Sequence, residues 1–470
     1  MSAARQMLPF AVEAMRGALL QPGTRGAGWF AGAASDSRQV APGQLFFALP
    51  GERVDGFAFC AQAAAAGSAG VVVARSRGLP AGCDDVAVIA VDDPRVALGD
   101  LARAVRAGYR GRVVGVTGSN GKTTTKELCA AALSPLGAVL RSPGSLNTDV
   151  GLPLTVLSAS GTEAAWVLEM AMRGRGEIAY LAEVARPHVG VITNVGSAHL
   201  GRLGSIEEVA RAKGEIFAGL APDGIAVLPA DDALIAGQAD AAAIPRARRV
   251  TFNSGARGDV RVLDLLPAGA MGAVVRYAVR GVPVVVRLPL PGAHNARNGA
   301  AALAVAAAAG VPALEAAPAL EAVTVPPHRS AAVPAGGRTV LDDSYNANPA
   351  SMRAALEAVV AASGVSRAFA VLGDMLELGP DAEALHREVG RLAGARLAGL
   401  AAVGELAPAL VSGAREAGLG ADRALAVASP EEAASRLAPW TVPGDWILVK
   451  ASRGAKLERA VDALVAALTR

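Results

Sequence analysis

The stretch Arg112–Lys126, RVVGVTGSNGKTTTK, limits this chain more than any other. Residues 113–116 read as a short buried strand, and a helix follows from about Thr123. Between them, Gly118 and Gly121 can take positive φ and let the backbone approach a ligand closely. The N–H groups of such a turn, with the N-terminus of the next helix, form a concave anion site. Lys122 adds a cation for the β- and γ-phosphates, and the Thr123 hydroxyl is placed for Mg²⁺. Ser119, Asn120 and Thr124 complete this nucleoside-triphosphate loop. The spacing G-x-x-x-x-G-K-[ST] is not strictly met, because Val116 stands six before Lys122. TGSNGKTT is therefore a variant, which narrows the family. A Gly-rich turn with a solvated lysine is the bland alternative, and the strand–turn–helix context argues against it.

The rest of the composition bounds the setting of that loop. A length of 470 residues suggests about three domains. Apolar residues reach 52%, but aromatics are only 4%, so the hydrophobicity signals alanine-rich helices and not a membrane protein. The most apolar helical run, Ala300 to Ala309, is shorter than the ~20 residues a bilayer requires. No basic, apolar, small-residue signal opens the chain, which reads as cytoplasmic with no membrane insertion. The net charge of +3 is dispersed, where a nucleic-acid binder would show a basic stripe. Cys60, Cys83 and Cys129 form no CxxC pair and give an odd count, in keeping with a reducing compartment.

Residues 1–108 alternate short apolar runs (LFFAL at 45–49, GVVVA at 70–74, VAVIAV at 86–91) with Ala-rich helices and read as a small α/β domain. Their polar cluster Ser35-Asp36-Ser37-Arg38 can hold a diphosphate or a uracil edge, or can simply be a capped turn. Residues 109–325 form the nucleotide unit, a central phosphate-loop α/β domain with a mostly parallel sheet. A polar turn carrying Asn147 and Thr148 enters a helix. Strand 166–170 delivers Glu169 at its C-terminal end, and strand 189–194 delivers Asn194 and then His199. Ligands gather at such strand ends in open α/β sheets. Mg²⁺ prefers oxygen ligands, which Thr123 and Glu169 offer and His199 does not. A helix over 205–217, capped by Ser205, carries Lys213. Asn295 and Asn298 open a long Ala helix. They offer the donor and acceptor that an adenine edge requires, although Asn295 could equally be an N-cap. After Pro326-Pro327, strands at 339–343, 368–374, 400–404, 424–428 and 446–450 alternate with helices, giving a C-terminal Rossmann-like α/β domain over 326–470. Polar residues again collect at its strand ends.

TGSNGKTTT, the strand-end Glu169, TNVGSAHL, ARAKGEIF and GAHNARN, in that order, resemble the Mur ligase family over essentially the full length. DDSYNANPASM (342–352) and VLGDMLELG (371–379) are similar to the member that adds D-alanyl-D-alanine to UDP-N-acetylmuramoyl-tripeptide. The sister enzyme that adds the third residue carries Asp-Asn-Pro-Arg in its last domain. Here only Asp92-Asp93-Pro94-Arg95 comes near that pattern, and it lies in the first domain. The chain departs from the family at Phe57, where His commonly follows Asp-Gly.

The resemblance implies an ATP-dependent amide-bond ligase of peptidoglycan precursor synthesis. ATP would phosphorylate the tripeptide carboxylate, and the dipeptide amine would attack the acyl phosphate. Residues 1–108 would bind the UDP-sugar through Ser35, Asp36, Ser37 and Arg38, joined by Asn147 and Thr148 of the central domain. ATP would lie on residues 118–124, with Asn295 and Asn298 at the adenine end and with Arg329, Asp343, Tyr345 and Asn346 reaching it as the domains close. One Mg²⁺ would sit on Thr123 and Glu169, and a second on His199 and Lys213. An ammonium cannot ligate a cation, and the family precedent is a carbamylated lysine. Lys122, Glu169, His199 and Lys213 would carry the catalysis, Ser452 and Arg453 would meet the dipeptide, and the chain would act as a monomer. Folylpolyglutamate synthase shares the loop chemistry but is disfavoured by the extra N-terminal domain. A phosphate-loop NTPase without a carboxylate acceptor is the rival from another class.

Overall fold

The computed structural model describes residues 3–24, 28–51, 54–196, 200–253, 255–324 and 326–469. The chain divides into two compact units. The first comprises Met1–Val116, Leu136–Gly190 and Ala218–Gly224; the second comprises Thr117–Pro135, Val191–Phe217 and Ile225–Arg470.

The first unit opens with a five-stranded sheet in the order Ala18–Gln21, Ala87–Val91, Gly70–Ala74, Leu45–Phe47, Ala33–Ala34. All neighbours are parallel except Ala18–Gln21, which runs antiparallel to Ala87–Val91. Both faces of the inner strands are covered, since Val71, Val72, Val73 and every residue from Ala87 to Val91 are buried. Continuous apolar runs are what a doubly covered parallel sheet demands. The Asp92–Arg95 segment is a helix start: Asp93 accepts from Arg95 N at 2.7 Å, and Pro94 occupies the first turn of helix Pro94–Gly108. A second set of strands in this unit, Val139–Arg141, Ala165–Glu169 and Arg112–Thr117, is parallel throughout and sets Glu169 opposite Val116.

Arg106 ties this unit together. Its guanidinium is 7% exposed and donates to the carbonyls of Ala185 (2.6 Å), Arg186 (2.8 Å) and Tyr109 (3.3 Å). Helix Glu177–Ala185 ends at Arg186 in the left-handed region, so its last carbonyls have no helical donor and take an arginine instead.

In the second unit, Ile225–Pro229, Arg249–Asn253 and Val260–Pro267 are successive parallel neighbours. The sheet then continues antiparallel through Ala273–Val279 and Val282–Leu288. Helix Ala293–Ala309 packs with a fully apolar buried run, Ala300 to Ala306, because small side chains let a helix lie close. At Gly299 a Cβ would meet Tyr277 Oη at 2.4 Å; that hydroxyl donates to Ala296 O.

The C-terminal sheet runs Ala331–Ala335, Arg338–Asp342, Trp446–Lys450, Ala368–Gly373, Gly399–Val403, Ala424–Val427. Only its first pair is antiparallel. Alternation decides which face each residue serves. Leu341, Ala370, Leu372, Leu400 and Leu448 join one core, while Val340, Phe369, Val371, Ala401 and Ile447 join the other. Helices therefore cover both faces, which is the doubly wound arrangement expected. Among the described residues no helix is long and apolar enough to cross a membrane.

Replacing Arg106 by Met strands several buried carbonyls, so Arg106→Met should lower unfolding stability by about 2–4 kcal/mol, read as a shifted urea midpoint.

Candidate active site

The phosphate loop is shaped by the end of a neighbouring strand. Thr193 Oγ1 donates to Asn120 O at 2.6 Å, Asn194 Nδ2 donates to the same oxygen at 3.0 Å, and Asn194 Oδ1 accepts from Asn120 N at 3.0 Å. Ser119 N donates to Asn194 O at 3.0 Å. Gly118 has φ +148° and so little room that a Cβ would fall 1.9 Å from Thr193 Oγ1. Gly121 has φ +77° and lies against Asn298, whose Oδ1 would be 2.6 Å from an added Cβ. Helix Lys122–Leu133 starts directly after it, with Thr123 and Thr124 buried at its N-terminus. Lys122 is folded back, its Nζ donating to the carbonyls of Gly118 (2.8 Å) and Ser119 (3.3 Å). These are contacts that a polyphosphate can replace.

Lys213 is the second cation of this cluster. It lies on helix Ile206–Ala218, where Ser205 Oγ accepts from Glu208 N at 3.2 Å, and it is 1% exposed. Burial, reinforced by the positive charge of Lys122, holds its pKa well below the ordinary lysine value. Such an amine is neutral and nucleophilic at a pH where an exposed lysine is not.

Glu169 is 1% exposed at its strand end. Asn147 Nδ2 donates to Glu169 Oε1 at 2.8 Å, and Glu169 N donates to Ser142 Oγ at 3.1 Å. Asn147 thus orients the carboxylate, a role that sequence did not reveal. Thr148 Oγ1 accepts from Gly151 N at 3.2 Å at the start of helix Gly151–Leu157. The carboxylate of Glu169 and the hydroxyl of Thr123 are each buried, and each is a hard oxygen donor of the kind that Mg²⁺ prefers. No group of three or more His, Cys, Asp or Glu able to hold a metal occurs among the described residues. His199 lies outside the described residues.

Asn295 does not cap its helix; Gly292 holds that position, and Asn295 Nδ2 donates to Pro291 O at 2.8 Å. Its Oδ1 accepts from Asn298 Nδ2 at 3.2 Å, which aims Asn298 toward the phosphate loop. In the C-terminal part, Arg329 stacks on Tyr345 with its guanidinium carbon 3.8 Å from the ring centroid. Asp343 Oδ1 accepts from Ser330 N at 3.0 Å, and Oδ2 accepts from Lys450 Nζ at 2.5 Å. Lys450 Nζ also reaches Asn346 O at 2.8 Å. Neighbouring Asp342 pairs with His328 Nδ1 at 2.8 Å and accepts from Ser344 Oγ at 2.6 Å. Sequence inspection singled out neither Lys450 nor His328 as an organiser of this segment.

Ser452 is buried, its Oγ accepting from Leu376 N at 2.9 Å and donating to Ala347 O at 3.2 Å. It joins three loops from within, whereas Arg453 is largely exposed, 5.3 Å from the Tyr345 ring. At the N-terminal cluster Asp36 caps a short turn, accepting from Arg38 N at 3.0 Å, and Arg38 clasps the same carboxylate through two further bonds. That hydrogen bonding pulls the Asp36 pKa down to about 2. Ser37 Oγ donates to Gln62 Oε1 at 2.9 Å. Ser35 precedes the turn, and the cluster has the geometry of a capped turn with an exposed guanidinium.

Comparisons with known proteins agree with one another. Models of the Mur ligase family match residues 31–106 (catalytic domain), 116–306 (middle domain) and 328–453 (glutamate ligase domain). The UDP-N-acetylmuramoyl-tripeptide–D-alanyl-D-alanine ligase of Mycobacterium tuberculosis (strain H37Rv) is 41% identical, covering 92% of this chain and 91% of the relative. The crystal structure of MurF from Acinetobacter baumannii matches with a TM-score of 0.88 at 31% identity, over 99% of this chain and 100% of that one. MurF from Thermotoga maritima in complex with ADP matches with a TM-score of 0.80 at 30% identity, over 93% and 98% of the two chains.

The depressed pKa of Lys213 has a consequence for stability. As pH falls below the ordinary value of 10.5, the unfolded chain takes up a proton that the folded chain refuses, and folded stability is lost. Lys213→Met in bicarbonate-free buffer should therefore be more stable than the parent by about 1–3 kcal/mol at pH 7, with a smaller gain at pH 10. Urea titrations at the two pH values measure this.

Proposed function

The chain belongs to the Mur ligase family, and we infer that it joins D-alanyl-D-alanine to UDP-N-acetylmuramoyl-tripeptide at the expense of ATP, in peptidoglycan precursor synthesis. The observation that carries this reading is full-length similarity to enzymes of that activity, combined with a phosphate loop whose lysine and helix start are set for a polyphosphate.

The chemistry follows from charge. A carboxylate oxygen of the tripeptide attacks the γ-phosphorus of ATP, ADP leaves, and an acyl phosphate forms. The dipeptide amine then attacks the acyl carbon, and the amide forms as phosphate leaves and the amine loses a proton. The first step brings anions together, so positioning and neutralisation supply the catalysis. Lys122 swings from the carbonyls of Gly118 and Ser119 onto the phosphates, joined by the N-terminus of helix Lys122–Leu133. Ser119, Asn120, Gly121, Thr123 and Thr124 line the polyphosphate, with Asn298 beside them. Asn295 steadies Asn298 at the adenine end. Arg329, Asp343, Tyr345 and Asn346 serve the nucleotide from the C-terminal segment.

Mg²⁺ would be held by Thr123 and by Glu169, which Asn147 orients; a divalent cation there supplies further neutralisation of phosphate charge. Lys213 is set apart by its suppressed protonation, which leaves the amine free to add CO₂ and lose a proton, giving a carbamate. In that form it is an anionic oxygen ligand, with His199 as the proposed partner. The UDP-sugar end is assigned to Ser35, Asp36, Ser37 and Arg38 with Thr148, and the dipeptide to Arg453 over a floor built by Ser452. The active species is a monomer in the cytoplasm, with residues 1–108, 109–325 and 326–470 as its three domains.

Two measurements test the reading. Phosphate release from ATP should require tripeptide and dipeptide together and yield a pentapeptide product by mass; steady release indifferent to both would overturn the acceptor assignment. Lys213→Ala should lose activity by about 100-fold or more, with partial recovery in short carboxylates such as acetate. Full specific activity in a merely less stable Lys213→Ala would remove the carbamate.

A further inference from the structure

Asn348 belongs to the segment DDSYNANPASM but to none of the roles assigned above. It is the N-cap of helix Pro349–Ser363, in a reciprocal capping box. Asn348 Oδ1 accepts from Ser351 N at 2.9 Å, and Ser351 Oγ accepts from Asn348 N at 2.9 Å. The capping bond fixes the sense of the amide: its oxygen serves the helix, so its nitrogen faces away. That nitrogen donates to Asn120 Oδ1, 2.7 Å distant, on the phosphate loop. Asn120 is itself immobilised, since its backbone N and O are bound by Thr193 and Asn194.

The residue type is informative here. Asp and Ser cap a helix about as well as Asn. Asp has no donor to offer an acceptor oxygen, and Ser has no second polar atom to reach it. Asparagine alone among the good caps does both.

We propose that Asn348 is a positioning residue that registers the C-terminal strand-end segment on the phosphate loop. Five residues or fewer separate it from Asp343, Tyr345 and Asn346, so fixing Asn348 fixes their approach to a nucleotide on the loop. This inference rests on the reading that residues 118–124 hold the nucleotide. The contact holds the segment against the loop, and so strengthens nucleotide binding by removing an ordering cost.

ADP binding to the full chain, by calorimetry with Mg²⁺, tests it through a double-mutant cycle. Asn348→Ser retains the cap and loses the reach. It should weaken ADP binding about 3- to 10-fold, the worth of one net hydrogen bond, while its thermal midpoint stays near that of the parent. Asn348→Ala should lose the cap as well and melt lower. In an Asn120→Ala background, Asn348→Ser should cause no further weakening. Unchanged or tighter binding by Asn348→Ser, or effects that multiply independently, would overturn the proposal; tighter binding would mean that the contact restrains the segment. Failure of the parent chain to bind ADP would remove the nucleotide reading and this inference with it.

Discussion

A turn built on two positive-φ glycines cannot hold its own shape, and the clamp that Thr193 and Asn194 place on Asn120 is what the phosphate site rests on. The clamp explains why Gly118 has to be glycine. The space that a Cβ would occupy is filled by the Thr193 hydroxyl that binds the loop. Three part-buried hydrogen bonds to one residue's backbone hold the loop. Anchoring of this kind lowers the reorganisation that phosphate binding would otherwise require.

Two lysines, Lys122 and Lys213, stand at that fixed loop. Lys122 donates to carbonyl oxygens, and burial, reinforced by the charge of Lys122, disfavours the proton of Lys213. Lys450 follows a different logic: it is buried but paired with Asp343, and its remaining donor capacity goes to the carbonyl of Asn346. Lys450 thus has a carboxylate as its partner, whereas Lys122 donates to backbone carbonyls.

Much of this was legible in the sequence. The phosphate loop, all five parallel strands of the C-terminal sheet and the helix bearing Lys213 follow from apolar runs and caps. Strand Ala331–Ala335 was not, because three alanines and a proline lack β-propensity; its antiparallel partner Arg338–Asp342 holds it at the sheet edge. Strands Ile225–Pro229 and Arg249–Asn253 were missed too, each a short segment between helical patterns. At the site, residue types announced Lys122 and Glu169, and only the family resemblance singled out Lys213; neither disclosed that Asn147 steers Glu169 or that Ser452 is an internal tie. Those assignments depend on which of several possible partners each amide or hydroxyl finds, and separations such as 22 residues for Asn147 and Glu169 leave no local pattern.

The first compact unit is assembled from three separate lengths of chain, the last of them Ala218–Gly224. Translation delivers residues in order, at about 5–20 per second. The opening 116 residues therefore wait, short of their full complement, while the phosphate loop, Glu169 and Lys213 are synthesised. Completion of this unit thus falls only a few residues after Lys213 appears. A chain interrupted before Ala218 therefore lacks the last piece of its first unit even where the phosphate loop, Glu169 and Lys213 are all present.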